Sequence, residues 1–181
     1  MKFKHLVALA TLLTPAFGAN AAGIDFRISN DTAEITYLTE SATFGYGGAD
    51  IGIGAFIAED DSLLFNGSIL VSGTPAGDVK GLQFGVGVKA YAGSLDTVND
   101  DSGGGLALGG QIRYVFPSST PVAVLGEAWV VPSVVSISNF DGVTEYRVAL
   151  ELEVTPSARG YIGYRNLEVD IDGIADSIEL D

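Results

Sequence analysis

The sequence contains no cysteine and a single histidine, His5. Without cysteine the chain has no disulfide framework, no thiolate nucleophile and no cysteine-based metal site. His5 falls in the leader described below, so the mature chain lacks the histidine that a Ser-His-Asp triad, a histidine metal site or a histidine general base requires. We therefore expect no enzymatic activity, no catalytic residue, no metal site and no cofactor.

Basic residues are also scarce, since nine Lys and Arg residues stand against 23 Asp and Glu residues, for a net charge of −14. This balance argues against nucleic acid as a partner, because a phosphate backbone needs a basic surface. Charged residues make up only 18% of the chain, whereas 47% is hydrophobic and 24 residues are glycine. This composition fits strands that pack closely or face a nonpolar solvent.

The N-terminus has the three parts of a secretory signal peptide. Lys2 and Lys4 form the positive region, Leu6 to Phe17 is apolar, and Ala19-Asn20-Ala21 is a cleavage site of the Ala-x-Ala type. We predict cleavage after Ala21, with residues 1–21 as the signal peptide and 22–181 as one exported domain. An uncleaved anchor is the weaker alternative, because the apolar run is shorter than the roughly 20 residues of a membrane span.

Beyond this leader no run of 18 apolar residues occurs, so a membrane location would require a barrel rather than a helix. Short alternating segments, each followed by a turn rich in Pro, Asp, Asn, Ser or Gly, repeat along the mature chain. The connections are too short for parallel crossovers, so the sheet is predicted to be antiparallel. The predicted strands are 24–29, 33–39, 49–58, 63–72, 82–94, 104–116, 122–131, 143–154 and 159–170.

The two faces of these strands differ in a way that indicates the surroundings of the sheet. In 104–116, one face carries Leu106, Leu108 and Ile112, and the other carries Arg113 among small residues. A soluble β-sandwich also alternates, but its outer face is usually more strongly charged. We therefore predict an all-β fold, a small antiparallel transmembrane β-barrel of about 8–10 strands whose narrow lumen requires small inward residues.

The isolated charges on the polar faces are predicted to form ion pairs inside the lumen. Two alternatives remain for the glutamates, a catalytic carboxylate dyad and an ion-selectivity site. Successive residues on the same face of a strand lie about 7 Å apart. In the predicted strand 159–170, the charged Arg165 lies on the same face as the apolar Leu167 and Val169. We therefore expect a β-bulge or a change of register in this strand. The candidate lumen residues are Lys89, Arg113, Glu127, Glu145, Arg147, Glu151 and Glu153.

The turns suggest an orientation. Short turns at 74–80, 117–121 and 156–158 alternate with longer connections, as periplasmic turns alternate with outer loops in bacterial barrels. An aromatic girdle is predicted beside the short turns, formed by Phe84, Phe116 and Tyr161. The acidic loops 96–102 and 170–176 do not have EF-hand spacing and are expected to be solvated, with divalent-ion bridges to lipid A phosphates as the alternative.

Several segments together resemble the YfaZ family of Gram-negative outer-membrane proteins. They are AAGIDFRISNDTAEI, YGGADIGIG, LQFGVGVKAYAGSLD, GGLALGGQIRYVFPSSTPVAVLGE and YIGYRNLEVDID. The resemblance covers nearly the whole mature chain and implies an outer-membrane β-barrel, without assigning an activity or a functional residue. Outer-membrane barrels typically end in an alternating closing strand. The chain departs from this pattern at its C-terminus, where the last residues are Ser177 to Asp181, and we expect the closing strand to be missing from this chain. The nine predicted strands and one closing strand would make a barrel of ten strands. If the segment 24–29 is not a strand, the present chain has eight.

These observations lead to one main hypothesis and two alternatives. The main hypothesis is an outer-membrane barrel with an ion-paired, largely filled lumen and a structural or surface-interaction role. The alternatives are a narrow channel for small solutes or ions, and a soluble periplasmic β-sandwich or lipocalin-like binding protein. The expected partners are outer-membrane lipid and lipopolysaccharide, not nucleic acid.

Overall fold

The computed structural model describes residues 22–29, 31–41, 48–59, 62–75, 79–95, 101–117, 122–138, 140–155, 158–171 and 178–180. In these residues, no helix has the length and apolarity that crossing a membrane requires. The predicted leader 1–21 lies outside them. The strands are β1 (Ala22–Ile28), β2 (Thr32–Ser41), β3 (Ala49–Ala58), β4 (Leu63–Gly73), β5 (Leu82–Leu95), β6 (Asp101–Val115), β7 (Val122–Val131), β8 (Ser136–Ser138), β9 (Phe140–Thr155), β10 (Ala158–Ile171) and β11 (Ile178–Leu180).

All eleven strands belong to one sheet in which the pairs are antiparallel. The order follows the chain from β1 to β7 and continues through β9, β10 and β11, while β8 pairs with β6. The sheet curls until β10 approaches β1, where Tyr161 Oη donates a hydrogen bond to the backbone oxygen of Phe26 at 2.9 Å. The all-β fold class is confirmed, and the described strands form an incomplete barrel.

The strand register differs from one expectation made from the sequence. Opposite β9, β10 runs without a shift from Arg159 to Asp170, and irregularities occur only at its two ends. The expected bulge near Arg165 is therefore wrong. Arg165, Leu167 and Val169 all point inward, because the interior changes from polar to apolar along this strand. The connection after β7 also contains an unexpected strand, β8, which extends the wall beside the start of β6.

The outer face of the barrel is apolar. Alternate side chains point out of the sheet, and large apolar ones stay exposed on this face, such as Ile53 (65%), Val86 (68%), Leu108 (61%) and Ile162 (76%). Free aliphatic surface of this extent is unusual for a protein in water. The outer face therefore matches the lipid-facing band of a transmembrane barrel.

One end of the interior is filled by an apolar layer. Its side chains lie near the ends of β3, β5, β7 and β10 and near the starts of β4 and β9, and all are at least 97% buried. Glycines of β6 make room for the larger members, since a Cβ on Gly105 would lie 2.4 Å from Val131 Cγ1 and one on Gly103 would lie 2.5 Å from Phe140. The layer consists of Phe56, Leu64, Leu95, Val131, Phe140, Val143, Leu167 and Val169.

Candidate functional site

The polar part of the interior begins below the apolar layer, at the carboxylate of Glu145. This side chain on β9 is 2% exposed and accepts hydrogen bonds from three side chains on two other strands, β5 and β10. Lys89 Nζ of β5 lies 2.5 Å from Oε2, Arg165 Nε of β10 lies 2.9 Å from Oε1, and the hydroxyl of Tyr91 also donates to Oε2. Lys89 Nζ is further placed over the Tyr91 ring, 5.0 Å from its centroid. Glu145 thus links strands that lie far apart in the sheet order.

A second carboxylate, Glu34 of β2, joins this group to the other edge of the sheet. Its Oε2 accepts from Arg165 Nη1 at 2.9 Å and from Arg27 Nη1 at 3.0 Å, and its Oε1 accepts from Asn66 Nδ2 at 2.9 Å. Arg27 also bridges to Asp25 at 2.9 Å. We call Arg27, Glu34, Lys89, Glu145 and Arg165 the central ion cluster. It carries ion pairs across the lumen and connects β1 and β2 with β10.

The opposite end of the interior is a cavity of about 600 Å³. It lies towards the end of β2, the start of β3, the end of β6 and the start of β10, since its lining includes residues close to those strand ends. Two further ion pairs stand in its wall: Arg113 Nε to Glu151 Oε2 at 2.6 Å and Arg147 Nη2 to Glu127 Oε2 at 3.0 Å. The indole of Trp129 also donates to Glu127, at 2.5 Å. The barrel is therefore filled at one end and hollow at the other.

Six of the seven predicted lumen residues are brought together in three ion pairs: Lys89 with Glu145, Arg113 with Glu151, and Arg147 with Glu127. The side chain of Glu153 lies outside the described residues. Within the described residues, no group of three or more His, Cys, Asp or Glu side chains is suited to hold a metal ion. The carboxylates of these three pairs face basic or hydroxyl partners on other strands, an arrangement that holds the strands together.

The predicted aromatic girdle is divided between the two faces. Phe84 and Phe116 are partly exposed, at 40% and 42%, beside the turns where they were expected. Tyr161 differs from the expectation, because its hydroxyl donates to Asp25 and its ring lines the cavity, 5.7 Å from the Arg147 guanidinium carbon. Its place is inside the barrel, at the approach of β10 to β1.

Sequence reasoning missed the N-terminal half of the network. Asp25 and Arg27 alternate with apolar residues in β1, and Glu34 does so in β2, so the period of two already marked them as inward. Arg165 suggests an irregular register when only the sequence is considered, because its neighbours on the same face of the strand are apolar. The position of those neighbours in the apolar layer removes the conflict.

A family model described as YfaZ precursor matches residues 1–180. No curated protein and no solved structure matches the chain.

Proposed function

This chain belongs to the YfaZ family, and from that membership and the fold we propose that it is an outer-membrane β-barrel protein with a structural or surface-interaction role. Its interior is proposed to be closed by the apolar layer and the central ion cluster, so that solutes do not pass. The description of the family as a precursor implies a cleaved signal peptide and export. The outer membrane is the bacterial location in which exported barrels with an apolar exterior are stable.

The observation that carries this proposal is the contrast between the two faces of one sheet. Exposed aliphatic side chains on the outside would be unfavourable in water, whereas lipid solvates them. Among the described residues, most charged side chains on the inside are paired, and only 1–19% of each paired side chain is exposed. This is the reverse of a soluble domain, in which charges lie outside and aliphatic residues lie inside.

The closed lumen favours a structural or surface role over transport. The apolar layer leaves little room at one end, and below it the central ion cluster joins opposite walls by direct contacts. We propose outer-membrane lipid and lipopolysaccharide as the molecules that surround the barrel. We also propose that the protein is not an enzyme, because its mature region contains neither histidine nor cysteine.

Membrane location and barrel closure can be tested together. The full reading frame, including any residues that follow Asp181, is expressed with its leader, and membranes are separated from soluble periplasmic protein. We expect the protein in the outer-membrane fraction, with an unboiled band on an SDS gel that migrates differently from the boiled band. A protein that stays in the soluble fraction and gives one band at both temperatures would refute the proposal.

The closed lumen has its own test in planar bilayers. We expect no steady single-channel openings from the purified, folded protein. Steady openings whose conductance changes in Glu151→Gln or Arg113→Gln protein would instead establish a narrow channel. That result would refute the proposed closed lumen. It would not contradict the proposed barrel or its location in the outer membrane.

A further inference from the structure

The wall of the barrel is irregular between β7 and β8. The pairing of β7 with β6 reaches Val130, opposite Leu108, and β8 resumes the pairing at Ser136, opposite Gly105. Between these two register pairs β6 has two residues, whereas the other strand has five. The three additional residues have no place in the ladder and leave the plane of the sheet as a bulge. We call residues 132–137 the β7–β8 bulge.

The bulge projects from the outer face of the barrel. The inner side of the wall is occupied at this level by the apolar layer and by Ala107, which is fully buried. In contrast, none of the residues Ser133–Val135 is buried, and Val134 is 86% exposed. Ile137 of β8 is 69% exposed, and Leu106 on the outer face of β6 is exposed as well. The bulge therefore adds aliphatic surface to the outer face.

The level of the bulge along the barrel places it at one boundary of the apolar outer face. The partly exposed Phe84 and Phe116 lie at the other boundary, beside the short turns. Leu106, which is level with the bulge, lies ten positions before Phe116 in the sequence. A membrane-spanning strand has roughly 9–11 residues, so the hydrocarbon region is expected to end close to the bulge. This is the end with the longer connections, which in bacterial barrels lies on the outer side.

Local hydrogen bonds give the bulge a defined shape. The Pro132 carbonyl oxygen accepts from the Val135 N–H at 3.0 Å and from Ser136 Oγ at 3.3 Å. The Ser136 N–H in turn donates to the Ser133 carbonyl oxygen. Backbone groups beside lipid need such internal partners because hydrocarbon offers none, and proline has no N–H to satisfy. The bulge can therefore present its aliphatic side chains to lipid without leaving these polar groups unpaired.

We propose that the β7–β8 bulge is a lipid contact in which Val134 and Ile137 lie among the acyl chains of the outer leaflet, at their boundary with the headgroups. Aliphatic side chains exposed to this extent are unfavourable in water, and they continue the apolar outer face through Leu106. The serines between them suit a boundary with polar headgroups. The inference rests on the proposed outer-membrane location and deepens it, because it assigns a connection between strands to the membrane.

Site-directed spin labelling tests this contact, because the chain has no cysteine of its own. Val134→Cys and Ile137→Cys are each labelled with a nitroxide in the full chain, which is folded into phosphatidylcholine vesicles. Electron paramagnetic resonance then measures how often the label collides with oxygen, which concentrates in hydrocarbon, and with a water-soluble nickel chelate. We expect the ratio of oxygen to nickel accessibility at both positions to be severalfold higher than at an aqueous position.

Two labelled variants provide the reference values. Leu108→Cys marks the lipid-facing surface, since Leu108 lies on the outer face of β6 and is 61% exposed. Glu59→Cys marks the aqueous side, since Glu59 is exposed and follows β3 at the same end of the barrel as the bulge. All variants are compared only after the shift between boiled and unboiled gel bands shows that they are folded.

Two outcomes would overturn the inference while the Leu108 label still reports lipid. One is nickel accessibility at Val134 and Ile137 equal to that at Glu59, which would place the bulge in water. The other is low accessibility to both reagents with spectral broadening that disappears on dilution with unlabelled protein, which would indicate a contact with a second copy of the chain. Nickel accessibility at Leu108 as well would refute the proposed membrane barrel itself, and the inference with it.

Discussion

Replacement of Glu145 by glutamine tests whether the central ion cluster holds the barrel together. The substitution keeps the size of the side chain and removes its charge. Glu145 accepts from Lys89, Arg165 and Tyr91 at once, and is 2% exposed. In the described residues, Lys89 has no second carboxylate within ion-pair distance, whereas Arg165 keeps Glu34. The variant therefore leaves a buried ammonium group without its counter-ion.

The size of the effect follows from burial. Breaking a buried ion pair by removing one partner typically costs about 3–5 kcal/mol, because the remaining charge is still desolvated. Glutamine can still accept one hydrogen bond, so we expect about 3 kcal/mol for Glu145→Gln. Glu151→Gln is the matched control at the cavity end. Glu151 has one basic partner and 13% exposure, and its loss should cost about 1 kcal/mol.

The assay is urea unfolding of the folded protein in detergent or lipid, followed by the fluorescence of Trp129. This indole lies close to the cluster, with Lys89 Nζ 5.9 Å from its ring centroid. The second measurement is a double-mutant cycle with Lys89→Met, which removes the orphaned charge. Lys89→Met/Glu145→Gln should be less destabilised than the sum of the two single variants.

Two results would refute this reasoning. One is a Glu145→Gln protein that loses no more stability than Glu151→Gln. The other is strict additivity in the cycle with Lys89→Met. Either would mean that the cluster is solvated in the folded protein and that backbone pairing alone holds the sheet.

Three further predictions concern packing and the approach of β10 to β1. Gly105→Ala should cost about 1–3 kcal/mol in urea unfolding, because its methyl group would meet a buried valine at 2.4 Å, whereas Gly160→Ala, with nothing within 4 Å, should be nearly neutral. Leu64→Ala should lower the free energy of unfolding by about 2–5 kcal/mol, because it leaves a cavity in the apolar layer. An unchanged urea midpoint would show that the layer is not closely packed. Tyr161→Phe removes the hydroxyl that donates to Asp25 and to the β1 backbone, so amide exchange in β1 should speed up severalfold while exchange in β5 stays the same.

The strand pattern could be predicted because it is local. The period of two in segments such as 82–94 and 143–154 assigns each side chain to a face without knowledge of its neighbours. The same period marked Lys89, Glu145 and Arg147 as inward. It failed at Tyr161 and Arg165, where side-chain type suggested the outer face or an irregular register.

The sequence by itself determined that the fold is an antiparallel, all-β sheet with an apolar face and a charged face, since alternation and short connections act within one hairpin. The tertiary structure decided which charges meet and where the interior is hollow. Arg165 contacts Glu34 across 131 positions of sequence, and Lys89 contacts Glu145 across 56. Such pairs depend on the curvature and register of the whole sheet, which accumulate over many strands and are not encoded in any one of them.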